Sequence, residues 1–448
     1  MGRFDREKIM VYLLILGSLL LLFFATRTVK RDYANPGFIY LAVWLIASVS
    51  TALYSSKWGE EISLVTVIII LLGNAIFLMG VLSSSTLFPA RQTPIKLTRV
   101  RVNNICIILV LLFLAFSVKT VYSELVYLAA QSGQPISGIF KTIELARHMT
   151  TNYDFAISRL SLNLLRINFA VGIVFFYFFC ESVFSGEKGI FYKGKLLLIS
   201  LISLGISLLS TGRTEMLGLI SGYAVLYILF YSKYYAWANS HYSRKLFRTL
   251  LTIGFLFIVL FIVVGTFVLN RVDSQSELGF LDNLIKYMGS PIQAFDYFLK
   301  NPSLYANNQV FGENTLIAIY GTLKSLGLSN YDLTPFLPVI NFNGDKTNVY
   351  TIYYYFVKDF GYLSILIMQL SYGFFFGSFY YSIKRRGFSP LKVIIYSLFA
   401  YPLVISFFQE TLLSLLTTHI NRIIYAVAIY FGVQFLSRVR FKLRERKI

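Results

Sequence analysis

Eleven apolar runs of near membrane-spanning length dominate this chain and limit what it can fold into. They fall at roughly 9–25, 37–54, 62–83, 103–120, 163–184, 196–210, 216–232, 249–269, 361–383, 391–408 and 423–437. The hydrocarbon core of a bilayer takes about 20 residues of helix and offers no water to a loose backbone. The expectation is an all-α, polytopic helical integral membrane protein with about 11 spans (10–12). A transmembrane β-barrel would read as short alternating segments instead. Composition agrees, since 56% of the 448 residues are hydrophobic and only 14% are charged. The first run has no small-residue cleavage site and reads as a retained helix rather than a signal peptide.

The net charge of +20 suggests nucleic acid only until its placement is considered. The basic residues cluster in short loops and in the tail from Arg438 to Lys447, as the positive-inside rule expects. With that tail inside, so are the loops holding Lys384-Arg385-Arg386, Lys233 with Arg244, Lys188 with Lys195, Arg91 with Arg101, and Arg27 with Arg31. The same count puts the N-terminus outside, against its Arg3, Arg6 and Lys8. Cys106 and Cys180 both lie in apolar runs, which argues against a disulfide framework.

The polar content then gathers on the outer side. Residues 271–358 carry six basic and seven acidic side chains, a net −1 in a chain of +20. Leu281, Leu284, Ile285 and Met288 recur at helical spacing, as do Leu316, Ile317, Tyr320 and Leu323. Turns fall at Gly289-Ser-Pro291, Asn301-Pro302 and Asn341-Phe-Asn-Gly344. This predicts one transmembrane domain over 1–448 with a helical extracytoplasmic cap over 271–358, and long ordered loops are usually functional. The amphipathic stretch from Gly138 to Arg147 reads as a helix on the membrane surface.

Charged residues at the outer membrane face are the candidates for chemistry. Arg159 and Arg166 are seven apart, on one face of a helix. Arg213 and Glu215 sit in the tight turn Ser210-Thr-Gly-Arg-Thr-Glu215, where Gly212 is expected to free the backbone. Arg271 follows the eighth run, Lys358 and Asp359 open the ninth, and Glu410, His419 and Arg422 bracket the last outer loop. Each has a plain structural reading: Arg213 snorkelling and paired with Glu215, Asp359 at a helix N-terminus, His419 as an interface residue. Together they suit a cavity for an anionic lipid head group, with arginines as clamps on pyrophosphate. Gly218-Leu-Ile-Ser-Gly222 and Gly373-Phe-Phe-Phe-Gly377 read as helix-packing spacings. The chain has no phosphate-cradling GxxxxGK[ST] loop and no zinc-type spacing, so neither ATP nor a metal is expected.

Two stretches carry a family resemblance. SLLSTGRTEMLGLISGY (207–223) resembles the helix–turn–helix of the oligosaccharide repeat-unit polymerases, the O-antigen polymerase family. TNVYTIYYYFVKDFGYLSIL, from Thr347 to Leu366, resembles the segment where that family's long outer loop re-enters the membrane. The resemblance implies a GT-C-like, metal-independent glycosyltransferase of the bacterial inner membrane, without a cofactor. It would join repeat units carried on undecaprenyl pyrophosphate at the outer face, giving O-antigen, capsule or exopolysaccharide. A chain-length regulator and a flippase are the partners it implies. Arg213 matches the family's turn arginine and is the expected pyrophosphate ligand. Membrane depth adds Arg166, Arg271 and Arg422. Related O-antigen ligases carry a histidine where this chain has Asn348, Tyr350 and Thr351, the expected substrate loop. That leaves Asp359, Glu410, Glu215 and His419 as base candidates. A flippase or exporter, or the ligase itself, is the alternative function.

Overall fold

A computed structural model describes residues 3–59, 61–88, 101–153, 155–187, 189–212, 214–237, 240–263, 279–305, 308–331, 333 and 337–438. Its helices run α1 (Arg3–Thr28), α2 (Pro36–Trp58), α3 (Leu64–Ser84), α4 (Asn104–Ala130), α5 (Ile139–Asn152), α6 (Arg159–Phe184), α7 (Ile190–Ser207), α8 (Thr214–Tyr231) and α9 (Ser240–Val263). Then come α10 (Gly279–Lys300) and α11 (Ile317–Ser325), a hairpin of β1 (Ile340–Phe342) and β2 (Asp345–Thr347), and α12 (Ile352–Phe360). The chain closes with α13 (Ser364–Arg386), α14 (Pro390–Leu398), α15 (Ala400–Val404) and α16 (Leu416–Arg438).

The protein is an all-α polytopic membrane protein. Eight of its described helices are long and apolar enough to cross a bilayer, built on α1–α4, α6–α8 and α16. The run at 361–383 forms the 23-residue α13, which is diluted by Gln369 and several tyrosines. The run at 391–408 is not one helix. It breaks at Phe399 into α14 and the five-residue α15. Pro402 explains the break: it has no N–H, and in a continuous helix its ring would meet the carbonyl of Leu398, so it stands in the first turn of a new helix.

Glycine sets the helix contacts, as the spacings predict. A Cβ on Gly373 would sit 2.0 Å from the Phe77 carbonyl oxygen, and one on Gly377 would sit 2.9 Å from Val81 Cα. α13 therefore touches α3 backbone to backbone. Gly222 lets α8 approach α6 and α14, where a Cβ would lie 2.4 Å from Ile173 Cδ1 and 3.1 Å from the Ser397 backbone oxygen. Several polar groups inside this bundle pair across helices. Tyr353 donates to Asn74 Oδ1 at 2.8 Å, Tyr40 to Gln369 Oε1 at 3.1 Å, and Trp44 Nε1 to Ser406 Oγ at 3.2 Å.

Between α9 and α12 the described residues form helices at 279–300 and 317–325, where the spacing predicts them, but the turn expected at Gly289-Ser-Pro291 is absent: α10 continues through Pro291. This stretch also contains a two-stranded hairpin that the sequence reading assigned to a turn between helices. Asn343 (φ 45°) and Gly344 (φ 93°) both take positive φ, as a tight two-residue hairpin loop requires. Asp345 fixes the hairpin through Lys286 Nζ at 2.5 Å and Trp58 Nε1 at 3.1 Å.

Candidate active site

The turn between α7 and α8 and the start of α16 meet around one buried ion pair. Arg422 Nη2 donates to Glu215 Oε2 at 2.5 Å. The Arg422 side chain is 2% exposed and that of Glu215 is 21%, so the pair opens on the carboxylate side only. The guanidinium lies over Phe169 of α6, its Cζ 3.8 Å from the ring centre. Its Nε is buried without a partner. One turn earlier on α16, His419 is fully buried; Nε2 meets the Thr411 carbonyl oxygen at 2.9 Å, and Nδ1 has no partner. A carbonyl oxygen can only accept, so Nε2 carries a proton.

The turn itself differs from expectation in one respect. Gly212 was expected to free the backbone, but Thr211 takes the left-handed conformation (φ 59°). A β-branched residue there is strained, and the strain sits inside the 207–223 motif, two residues before Arg213 in sequence. Ser210 supports the turn by donating to the Ser207 oxygen at 2.8 Å.

Beside the ion pair lies a cleft of about 660 Å³ between α6, α11 and the start of α16. α6 contributes Arg159, Asn163 and Arg166; α16 contributes Thr417, Ile420 and Asn421. Arg166 Nη1 donates to Asn163 Oδ1 at 3.0 Å. Among the described residues, Arg159 makes no hydrogen bond or ion pair. Phe169 follows Arg166 by three residues, so Arg422 lies about one turn (~4.5 Å) further along α6 than the cleft's inner arginine. The wall is anchored at its start: Ser158 caps α6, and Glu124 of α4 accepts from the Ser158 hydroxyl at 2.7 Å and also from the Ser158 amide and the Ser161 hydroxyl.

Two of the base candidates hold loops. Asp359, 8% exposed, accepts from Thr315 N (2.6 Å), Asn314 Nδ2 (2.8 Å), Asn308 Nδ2 (3.0 Å) and Asn314 N (3.1 Å). It ties 308–315, the approach to α11, to α12. Asp359→Asn turns one acceptor into a donor facing these donors. It is expected to cost about 1–3 kcal/mol of local stability, read as faster amide exchange confined to 308–325. Glu410 is fully enclosed and accepts from Tyr372 Oη (2.7 Å) and from the amides of Leu412 (2.7 Å), Leu413 (2.8 Å) and Ser414 (2.8 Å). Desolvation pushes its carboxyl up, and these donors pull it part of the way back.

The predicted substrate loop stands apart from the cleft. Tyr350 is buried, donates to the Pro338 oxygen at 2.9 Å and meets Tyr305 Oη at 3.2 Å. Burial pushes Tyr305 up to about 12 and Tyr350 further, so both hydroxyls stay protonated. Thr351 is buried at the start of α12 with Oγ1 unpartnered, and Asn348 is exposed. Arg213 and Arg271 lie outside the described residues. The structure thus brings together Glu215, His419 and Arg422, sets Arg166 in the adjoining cleft, places Asp359 near the C-terminal end of α12 rather than at a helix N-terminus, and places Glu410 in the turn before α16. Asn163, Thr417, Asn421 and Phe169 are additions from the structure. Thr417 and Asn421 are four apart at one end of an apolar run, which is the signal that points to them.

Over 194 residues the chain is 27% identical to an O-antigen polymerase of Shigella dysenteriae. The match covers 41% of this chain and 46% of that protein, so the chain aligns with less than half of its relative. No family model matches the chain, and no solved structure does.

Proposed function

We propose that the protein is a glycosyltransferase that polymerises lipid-linked oligosaccharide repeat units into polysaccharide. The observation that carries this reading is the cleft in which Arg159 and Arg166 face open volume beside a buried Arg422–Glu215 pair. Arginine forks held on helices suit the oxygens of a pyrophosphate. The distant likeness to an O-antigen polymerase and the matching turn motif point the same way. The substrate is a repeat unit on undecaprenyl pyrophosphate, met at the outer face of the bacterial inner membrane, with 271–358 forming the cap above it.

In the proposed reaction a hydroxyl of the incoming unit attacks the anomeric carbon of the growing chain. The bond from that carbon to pyrophosphate oxygen breaks, and its electron pair leaves with the pyrophosphate. Arg159 and Arg166 take up the developing charge, the role that the turn motif's resemblance implies for Arg213 as well. Glu215 accepts the hydroxyl proton. It is the base candidate with a partly exposed carboxylate and, among the described residues, one hydrogen-bonding partner, whereas Asp359 and Glu410 spend their oxygens on loop donors. Arg422 positions it.

The test is reconstitution of purified protein in liposomes with lipid-linked repeat unit on the cap side and no nucleotide or metal. A ladder of polymer supports the reading, and transfer of intact units across the bilayer without linkage overturns it in favour of a flippase. Arg166→Ala is expected to lower the rate of ladder growth about 10²-fold while the protein still inserts and elutes as wild type. Growth at the wild-type rate would remove Arg166 from pyrophosphate binding.

A further inference from the structure

We propose that α11 is the wall that reads the sugar attached to the pyrophosphate, and that Gly321 sets the bulk of sugar the cleft admits. This rests on the polymerase reading and assigns specificity within the same site.

The cleft sorts its chemistry by wall. The α6 side is cationic, and the α11 side offers Ala318, Gly321, Thr322 and Ser325. These four recur at i, i+3, i+4 and i+7, one face of a helix. The hydroxyls on that face have their protons committed inward. Thr322 Oγ1 donates to the Ala318 oxygen at 2.8 Å, and Ser325 Oγ donates to the Thr322 oxygen at 2.7 Å. Outward they present lone pairs. Acceptors repel phosphate oxygens, which have no proton to give, and receive sugar hydroxyls, which do. The pyrophosphate therefore faces α6 and the sugar faces α11.

Gly321 lies inside this helix, where glycine is disfavoured. A Cβ built on it meets nothing within 4 Å. No packing or turn therefore requires glycine there, while the missing side chain widens the cleft. The wall cannot simply retreat from a bulky ligand. Asp359 holds its approach, and Tyr320 Oη donates to the Phe311 oxygen at 2.8 Å. The side chain at 321 then decides which sugars fit.

The experiment compares wild type with Gly321→Ala, Gly321→Leu and Gly321→Phe in full-length protein in liposomes. Two probes are used: undecaprenyl pyrophosphate without sugar, and the sugar-bearing lipid-linked unit. Affinity for the bare pyrophosphate lipid is expected to stay within about twofold, because the α6 wall is untouched. Affinity for the sugar-bearing lipid is expected to fall stepwise with side-chain size, about tenfold or more by leucine, with polymer yield following. Equal affinity of wild type and Gly321→Leu for the sugar-bearing lipid overturns the proposal, and so does a parallel loss of the bare lipid. If wild type makes no polymer, the polymerase reading falls, while the binding comparison still decides whether α11 reads the sugar.

Discussion

Glu215→Gln is expected to lower polymer formation about 10²–10⁴-fold and to destabilise the protein by about 3 kcal/mol. The amide matches the carboxylate in shape, so packing around α8 persists. What changes is charge. Arg422 is 2% exposed, lies 3.8 Å from the Phe169 ring and has Glu215 as its counter-ion at 2.5 Å. Removing one partner of a buried pair leaves the other charge uncompensated, which costs more than deleting both. The double variant Glu215→Gln/Arg422→Met is therefore expected to unfold at a higher temperature than Glu215→Gln alone and to stay as inactive. Thermal unfolding in detergent and the ladder assay on the same preparations separate the two effects. A Gln variant that polymerises at the wild-type rate removes Glu215 as the base. One that unfolds with wild type shows that the pair contributes nothing to the fold.

The membrane class was legible because apolar run length and glycine spacing are local properties of the sequence. Gly373 and Gly377 sit against α3 as their spacing predicts. The break at Phe399 was less legible, since the run at 391–408 has no charge after Lys392 and Pro402 is the residue that marks it. In the site, arginines inside or beside apolar runs stand out because charge near hydrocarbon is costly. That logic identified Arg166 and Arg422. It could not identify their partners. Glu215 and Arg422 are 207 residues apart, and the plain local reading paired Glu215 with its neighbour Arg213. Thr417 and Asn421 do not stand out in this way, because uncharged polar residues are ordinary in helices. Asp359 and Glu410 were found as carboxylates, but their roles depend on how many amides converge on them. The donors to Asp359 come from 308–315, some 45 residues away in sequence.

Glu410→Ala is expected to prevent stable accumulation of the protein in the membrane. The methyl group strips partners from Tyr372 Oη and from the amides of Leu412, Leu413 and Ser414, around a fully buried Glu410. Each buried donor left unsatisfied costs about 1–3 kcal/mol, so the four together approach the whole margin of an ordinary fold, about 5–15 kcal/mol. Glu410→Gln keeps the volume but replaces one acceptor oxygen with an NH2 among N–H donors, and an intermediate loss is expected. The consequence reaches the site through the chain itself. The turn held by Glu410 supplies the Thr411 oxygen that fixes His419 at 2.9 Å, and it sets the start of α16, which carries Thr417, Asn421 and Arg422. If Glu410 acts by holding this turn, unfolding temperature and polymer yield should fall together through the series Glu, Gln, Ala. A Gln variant as stable as wild type yet inactive would instead make Glu410 the base, and Glu215 would then lose that role.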